Sequence, residues 1–189
     1  MPVYIGLVHY PIYNKNEEVI TTAVTNFDIH DIARTARTYD IAGYFIIHPL
    51  EAQQVLVEEV MSYWRDGFGS EYNKDRKEAF SIIEIAPDIK SVMNTIAERN
   101  NSLPPITVTT DARRFANSVS YKELREIIKT ESRPCLILFG TGWGIEKTVM
   151  NSFDYILDPI LGRGDYNHLP VRSAAAVILD RLLGEKWYE

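Results

Sequence analysis

The chain has 189 residues, enough for one domain with a sizeable core. Hydrophobic residues make up 46% of it and charged residues 24%, and no apolar run approaches the roughly 20 residues that span a bilayer. The formal net charge of -6 speaks against a surface that is basic throughout, so any nucleic-acid contact must rest on local patches.

The start, "MPVYIGLVHY", has no basic leader and no cleavage-like site, so no signal peptide is expected. Within it "VYIGLVH" reads as a strand, and "EVITTAVTN" reads as a second one. "IHDIARTARTY" places Ile29, Ile32, Ala33 and Ala36 on one helix face. "GYFIIHP" predicts a strand, "LEAQQVLVEEVMSYW" a helix, and "RDGFGSEYNKDRKEAF" a mobile loop. "SIIEIA" and "ITVTT" read as strands, separated by the helix "DIKSVMNTIAERN". "SYKELREIIKTES" is a helix with a basic face. "CLILFG" and "YILDPI" are strands around "GTGWGIEKTVMNS". Cys135, the only cysteine, falls in the first of these two as a buried, inert thiol, which fits a reducing, cytoplasmic setting. The last helix carries Val171, Ala174, Ala175, Ile178, Leu179 and Leu182 on one stripe.

Strands alternating with helices predict an α/β fold, a mostly parallel sheet with helices on both faces, over residues 1–189 as a single domain. Ligands in such folds sit beyond the C-terminal ends of strands. Three strand ends carry suitable chemistry: "VTTDA", "LFGTGWG" and "LDPILGRGDYNHL". Gly140, Gly142 and Gly144 permit positive φ and close backbone approach to a ligand; the alternative is a tight strand-to-helix turn. A dinucleotide fold would place such a loop after its first strand, and GxxxxGK[ST] is not matched although Lys147 follows Gly144.

"LFGTGWG" followed by "YILDPILGRGDYNHLPVRSAAAVILDRL" resembles the SPOUT superfamily of RNA methyltransferases, whose cofactor loops lie late in the chain. "TNFDIHDIARTARTYDIAGYFIIHP" is similar to the first motif of the ribose-methylating branch, aligning Asn26 and Arg34, although Phe27, Asp28 and Ile29 stand where that motif has small residues. The resemblance covers most of the chain and is most specific in its last 50 residues. It looks most like a stand-alone bacterial member related to tRNA guanine-N1 and ribose 2′-O methyltransferases. It implies a C-terminal trefoil knot of SPOUT type, S-adenosyl-L-methionine held largely by backbone groups, and a homodimer with the active site at the interface. The substrate it implies is RNA, tRNA or rRNA, with neither membrane nor metal required.

On that reading Thr109, Leu138, Phe139, Gly140, Gly142, Gly144, Ile156, Leu157, Asn167, Leu169 and Ser173 border the cofactor. Each aliphatic among them is also explained by the core, and Ser173 by the start of its helix. Methyl transfer is an in-line displacement that needs an aligned acceptor and a route for its proton. For a ribose hydroxyl, Arg34 is the candidate that stabilises developing charge; for a base nitrogen, Asp165, with His168 as a substitute. An ion pair with Asp31 also accounts for Arg34, a turn cap for Asp165, and a structural hydrogen bond for His168. Cations for phosphate are offered by His30, Arg34 and Arg37, by Lys122, Arg125 and Lys129, and by Arg113, Arg114, Arg163 and Arg172, all equally consistent with solvated faces. The acidic total also fits a non-catalytic or regulatory module with a different nucleotide ligand.

Overall fold

The structure, a computed structural model, describes residues 1–185, so the end of the expected range 1–189 lies outside the described residues. The chain opens with strands β1 (Val3–Val8), β2 (Ile12–Tyr13) and β3 (Val19–Ile20) and helix α1 (Asn26–Thr38). Then come β4 (Gly43–Ile47), α2 (Glu51–Arg65), α3 (Phe68–Tyr72), α4 (Lys74–Phe80), β5 (Ile83–Ala86) and α5 (Ile89–Arg99). The rest is β6 (Ile106–Thr110), β7 (Ser118–Val119), α6 (Tyr121–Thr130), β8 (Cys135–Gly140), α7 (Lys147–Met150), β9 (Tyr155–Leu157) and α8 (Val171–Leu183).

Seven strands form one sheet in the order β5-β4-β1-β8-β6-β9-β7, and every pairing in it is parallel. β2 and β3 form a separate antiparallel pair. Strand alternation sorts the apolar residues between two layers. Ile5 and Leu7 of β1 with Ile137 and Phe139 of β8 face α1, α6 and α8; Tyr4 and Val8 with Leu136 and Leu138 face α5 and α7. Both faces are covered, which is why these strands read as unbroken apolar runs. Full burial of one such Ile or Phe contributes about 1.5–3 kcal/mol.

The register positions the site. Thr110 lies opposite Phe139 on one side and Leu157 on the other, so the loops leaving β6, β8 and β9 emerge side by side. α8 then returns to pack on α1, and its C-terminal carbonyls at Arg181 and Gly184 accept hydrogen bonds from the Arg125 guanidinium of α6.

Several segments depart from expectation. Residues 68–80 form two helices rather than a mobile loop. Asn73 caps α4 through the Arg76 N–H, while Ala79 and Phe80 are buried against α1 and α2. Of "EVITTAVTN" only Val19 and Ile20 are in a strand. Beyond them Thr22 N–H donates to His9 C=O and Val24 N–H to the Gln53 side chain, so the backbone is satisfied without a ladder. β9 stops at Leu157: Asp158 N–H makes the last rung to Val119 C=O of β7, and Pro159 has no N–H to add another. The two-residue β7 carries no pattern that sequence reading can find.

Candidate functional site

A cavity of about 780 Å³ opens where the three strand ends meet. Thr110, Asp111, Ala112 and Arg113 form one wall, and the turn from Phe139 to Gly144 a second. Asp158, Pro159 and Ile160 continue it after β9. Asn167, His168, Leu169 and Pro170 close it together with Val171, Ala174 and Ile178 of α8. The segment before α1 supplies Thr22, Ala23 and Thr25, and the helix itself Asp28.

The glycine turn is tightly defined. Gly142 and Gly144 have φ of 54° and 99°, a region open to glycine at little cost. A Cβ on Gly144 would meet Asp111 Oδ2 at 3.0 Å, and one on Gly142 would meet Ile12 Cγ2 at 2.9 Å. The β2 segment clamps the turn from outside. Trp143 N–H donates to Tyr13 C=O at 3.0 Å, and Tyr13 N–H donates to Gly144 C=O at 2.9 Å.

Beneath this turn lies a hydrogen-bond chain whose direction follows from its end. Val8 C=O can only accept, so the Thr141 hydroxyl donates to it at 3.0 Å. Thr22 Oγ1, 2.5 Å away, must then donate to Thr141 Oγ1 and accept from His9 Nδ1 at 3.0 Å. His9 is thereby fixed as the neutral Nδ1–H tautomer, and its Nε2 lone pair is buried with no partner among the described residues. Burial first, and then the neighbouring His48 ring, push His9 down to about 4, with the Thr22 bond offsetting part. His48 is also lowered by burial, partly offset by Thr22; its Nδ1 accepts from Leu50 N–H and its Nε2 donates to Thr22 C=O.

Charge in the cavity is balanced. Asp111 pairs with Arg113 at 2.9 Å and Asp158 with Arg114 at 3.1 Å. Asp28 accepts from the Thr25 hydroxyl at 2.6 Å and faces Arg172 at 3.5 Å, while Arg172 also donates to Asp31 at 2.8 Å.

Of the residues named from sequence, Phe139, Gly140, Gly142, Gly144, Asn167, His168 and Leu169 line the cavity. Asn167 ties its loop to the β6 loop by donating to Ala112 C=O at 2.6 Å. Thr109 does not line it: its side chain turns into the sheet's other layer, and Thr110 stands in its place with its hydroxyl on Leu138 C=O. Leu138, Ile156 and Leu157 are core residues; the β9 wall starts one residue later, at Asp158. Ser173 is exposed, lies off the wall and does not cap α8, whose N-cap is Pro170. Arg34 and Asp165 are exposed and lie outside the wall of this chain. The ion pair expected between Arg34 and Asp31 is absent among the described residues, since Asp31 is taken by Arg172.

Most of the expected phosphate-binding cations are engaged elsewhere. Arg37 pairs with Asp40 and Glu78, Lys129 with Glu126, and Arg125 donates to α8 carbonyls. Among the described residues Arg34, Lys122 and Arg163 have no acidic partner within salt-bridge reach. His30 packs against Trp64 and Phe80. Burial, the largest influence, and then the Arg76 charge hold it below its ordinary value. Cys135 is buried, and burial, helped by Asp154, pushes its thiol up to about 12. Among the described residues no helix is long and apolar enough to cross a membrane, and no group of three acidic, His or Cys side chains could hold a metal.

Sequence reasoning missed Thr22, Thr25, Asp28, Asp111, Trp143 and Asp158. For Asp111 and Trp143 a signal existed, since each adjoins a strand end or glycine already singled out.

Comparison with known proteins fits this geometry. The chain is 44% identical over 180 residues to an uncharacterized protein of Aquifex aeolicus, covering 95% of this chain and 87% of that one. It is 40% identical over 183 residues to a tRNA (guanine-N(1)-)-methyltransferase of Nitratidesulfovibrio vulgaris, where 97% of this chain spans 42% of the relative. The fold matches a probable methylase family protein of Haemophilus influenzae with a TM-score of 0.63 at 14% identity, over 95% of this chain and 62% of that one. It also matches the SpoU methyltransferase AviRb of Streptomyces viridochromogenes, solved in complex with AdoMet, with a TM-score of 0.56 at 15% identity, over 97% and 59%. Residues 2–184 match the profile described as SAM-dependent RNA methyltransferase, and the chain belongs to that family.

Proposed function

We propose that the cavity binds S-adenosyl-L-methionine and that the chain methylates a nucleotide of tRNA or rRNA there. The observation that carries this is the convergence of the glycine turn, the Asn167 loop and the start of α8 on one cavity, in a chain of this family. The residues present suit the cofactor. Phe139, Leu169 and Ile178 offer an apolar wall for a flat ring, and the turn presents backbone groups at Gly140 and Gly142. Asp111 and Asp158 offer acceptors for a diol or an ammonium. Bound there, the cofactor supplies an electrophilic methyl group.

The residues of this chain then align the acceptor and receive its proton. His168 and Asp28 are both on the wall, so either is a candidate to take the acceptor's proton. Arg34 and Asp165 lie off the wall of a single chain; in the homodimer proposed here, with the site at the interface, Arg34 of one copy completes the cavity of the other. The ties of the Asn167 loop to the β6 loop, through Ala112 and through Asp158 with Arg114, support a trefoil knot in which the C-terminal segment passes the segment after β6. The whole chain acts as one SPOUT-like domain in the cytoplasm. The tRNA (guanine-N(1)-)-methyltransferase relative is more than twice as long as the segment matched, so its named reaction is not carried over residue for residue.

The experiment is titration calorimetry with S-adenosylmethionine, S-adenosylhomocysteine and GTP, followed by transfer of labelled methyl groups to total tRNA and rRNA. Binding of the first two in the micromolar range, with label in one RNA, is expected. Binding of GTP alone would replace this reading with the regulatory one.

A further inference from the structure

We infer that Trp143 is the platform on which the nucleobase of the acceptor nucleotide stacks, so that the substrate is RNA in which that nucleotide is unpaired. This rests on the reading of the cavity as the methyl-transfer site and extends it to the form of the RNA. Trp143 lines the cavity, yet 60% of it is exposed. Its indole makes no ring contact among the described residues. Tryptophan is normally well buried, and its apolar face is costly to leave in water.

The backbone that carries it is not loose. It is flanked by two positive-φ glycines and clamped on both sides by Tyr13. A large flat ring is thus carried on a fixed stretch of backbone with its face unused. Two of the three apolar residues suited to the cofactor are of the opposite kind, Phe139 being 1% and Ile178 4% exposed, while Leu169 is 47% exposed. That contrast assigns the deep wall to the cofactor and the exposed indole to the group that arrives from solvent. A base inside a duplex is stacked on both sides and cannot reach a walled cavity, so it must leave the stack. An aromatic face at the entrance restores one side of that stacking for any base. Tyr166, 80% exposed and edge-on to the wall residue His168 at 5.5 Å, is a second exposed aromatic group next to the wall. Arg163, in the same loop and without an acidic partner among the described residues, provides a charge for the adjoining phosphate.

The test uses a short mixed-sequence RNA strand and the same strand annealed to its complement, with S-adenosylhomocysteine present throughout. Trp143 is one of three tryptophans, so the difference between wild type and Trp143→Phe reports its fluorescence. The single strand is expected to quench that signal and the duplex to leave it unchanged. Trp143→Ala is expected to weaken single-strand binding roughly tenfold or more, while Trp143→Phe stays near wild type. S-adenosylhomocysteine affinity and sedimentation should be unchanged in both variants. Undiminished strand binding by Trp143→Ala overturns the inference and leaves the cofactor reading standing. A parallel loss of S-adenosylhomocysteine affinity overturns it by placing the indole on the cofactor, and a loss of dimer overturns it by placing the indole under a second copy. If the wild type binds no S-adenosylhomocysteine but Trp143 still governs strand binding, the stacking role stands and the methyltransferase reading falls.

Discussion

Acid should destabilise this fold through His9, and the size of the effect follows from the chain of hydrogen bonds behind the glycine turn. In the folded protein His9 donates from Nδ1 to Thr22, and the ring has no room for charge; its value falls from 6.5 to about 4. The sign follows from linkage. A group whose folded value is depressed leaves stability untouched above the unfolded value and erodes it below. Above pH 6.5 both states are neutral; below it the unfolded chain takes a proton that the folded chain refuses until about pH 4. Near pH 5 nearly all unfolded copies carry the proton but only about a tenth of folded ones, a difference of roughly 2 kcal/mol. Urea unfolding at neutral pH and near pH 5 measures it. His9→Asn keeps a donor in the place of Nδ1 but cannot titrate. It should therefore unfold more easily at neutral pH yet lose about 2 kcal/mol less on acidification than wild type. His48 and His30, also lowered, leave a residual slope in both proteins. An equal acid loss in wild type and His9→Asn would falsify the assignment of His9 as a buried neutral donor.

Gly144→Ala should cost about 1–3 kcal/mol of stability by thermal or urea unfolding, because φ is 99° and the new methyl meets Asp111. It should also abolish calorimetric binding of S-adenosylmethionine; retained binding would mean that the turn does not shape the cofactor site. Arg172 sits in the first turn of α8, where the helix dipole disfavours a cation, so its pairs with Asp28 and Asp31 are what it is there to make. Arg172→Gln should destabilise by about 1 kcal/mol, discounted because the guanidinium is partly exposed, and adding Asp28→Asn should restore part of that loss. Additive effects of the two changes would show that the pair does not couple. Arg34→Ala should leave stability within about 0.5 kcal/mol, since the side chain is exposed and has no acidic partner among the described residues, and leave cofactor affinity unchanged. Methyl transfer should nevertheless fall about a hundredfold or more, and wild-type turnover in this variant would remove Arg34 from the mechanism.

The sheet was readable because its strands are buried on both faces and its helices carry one-sided stripes. Both patterns are set by local spacing, as in "CLILFG" and in Val171 to Leu182. The two helices at 68–80 escaped because their polar residues outnumber their anchors. Only two apolar side chains, Ala79 and Phe80, anchor the second of them, helped by the Asn73 cap, the Glu78 pair with Arg37 and Arg76 over Trp64. A stripe that narrow gives no period, and tertiary packing decides the structure.

The site was legible only where its chemistry is local. A glycine turn needs Gly142 and Gly144 at its own corners, so the requirement is written where the turn is. The opposite wall is different in kind. Thr22 meets Thr141 across 119 positions, and no residue near Thr22 betrays that it will lie beneath a glycine turn. The strand ends form an intermediate case. Sequence places Thr109 and Thr110 at the end of one strand but does not say which parity faces the cavity. That is settled by the register, in which Ile106 and Val108 share a layer with Phe139 and leave Thr110 on the cavity side. Parity does not account for β9: Leu157 shares the layer of Phe139 and is core, and the wall starts at Asp158, whose N–H makes the last rung to Val119 of β7. A candidate list built on strand ends should therefore extend one residue past the last strand position, Thr110 in β6 and Leu157 in β9. Applied to this chain, that rule would have recovered Asp111 and Asp158, the two carboxylates that now stand on the cavity wall with their arginines.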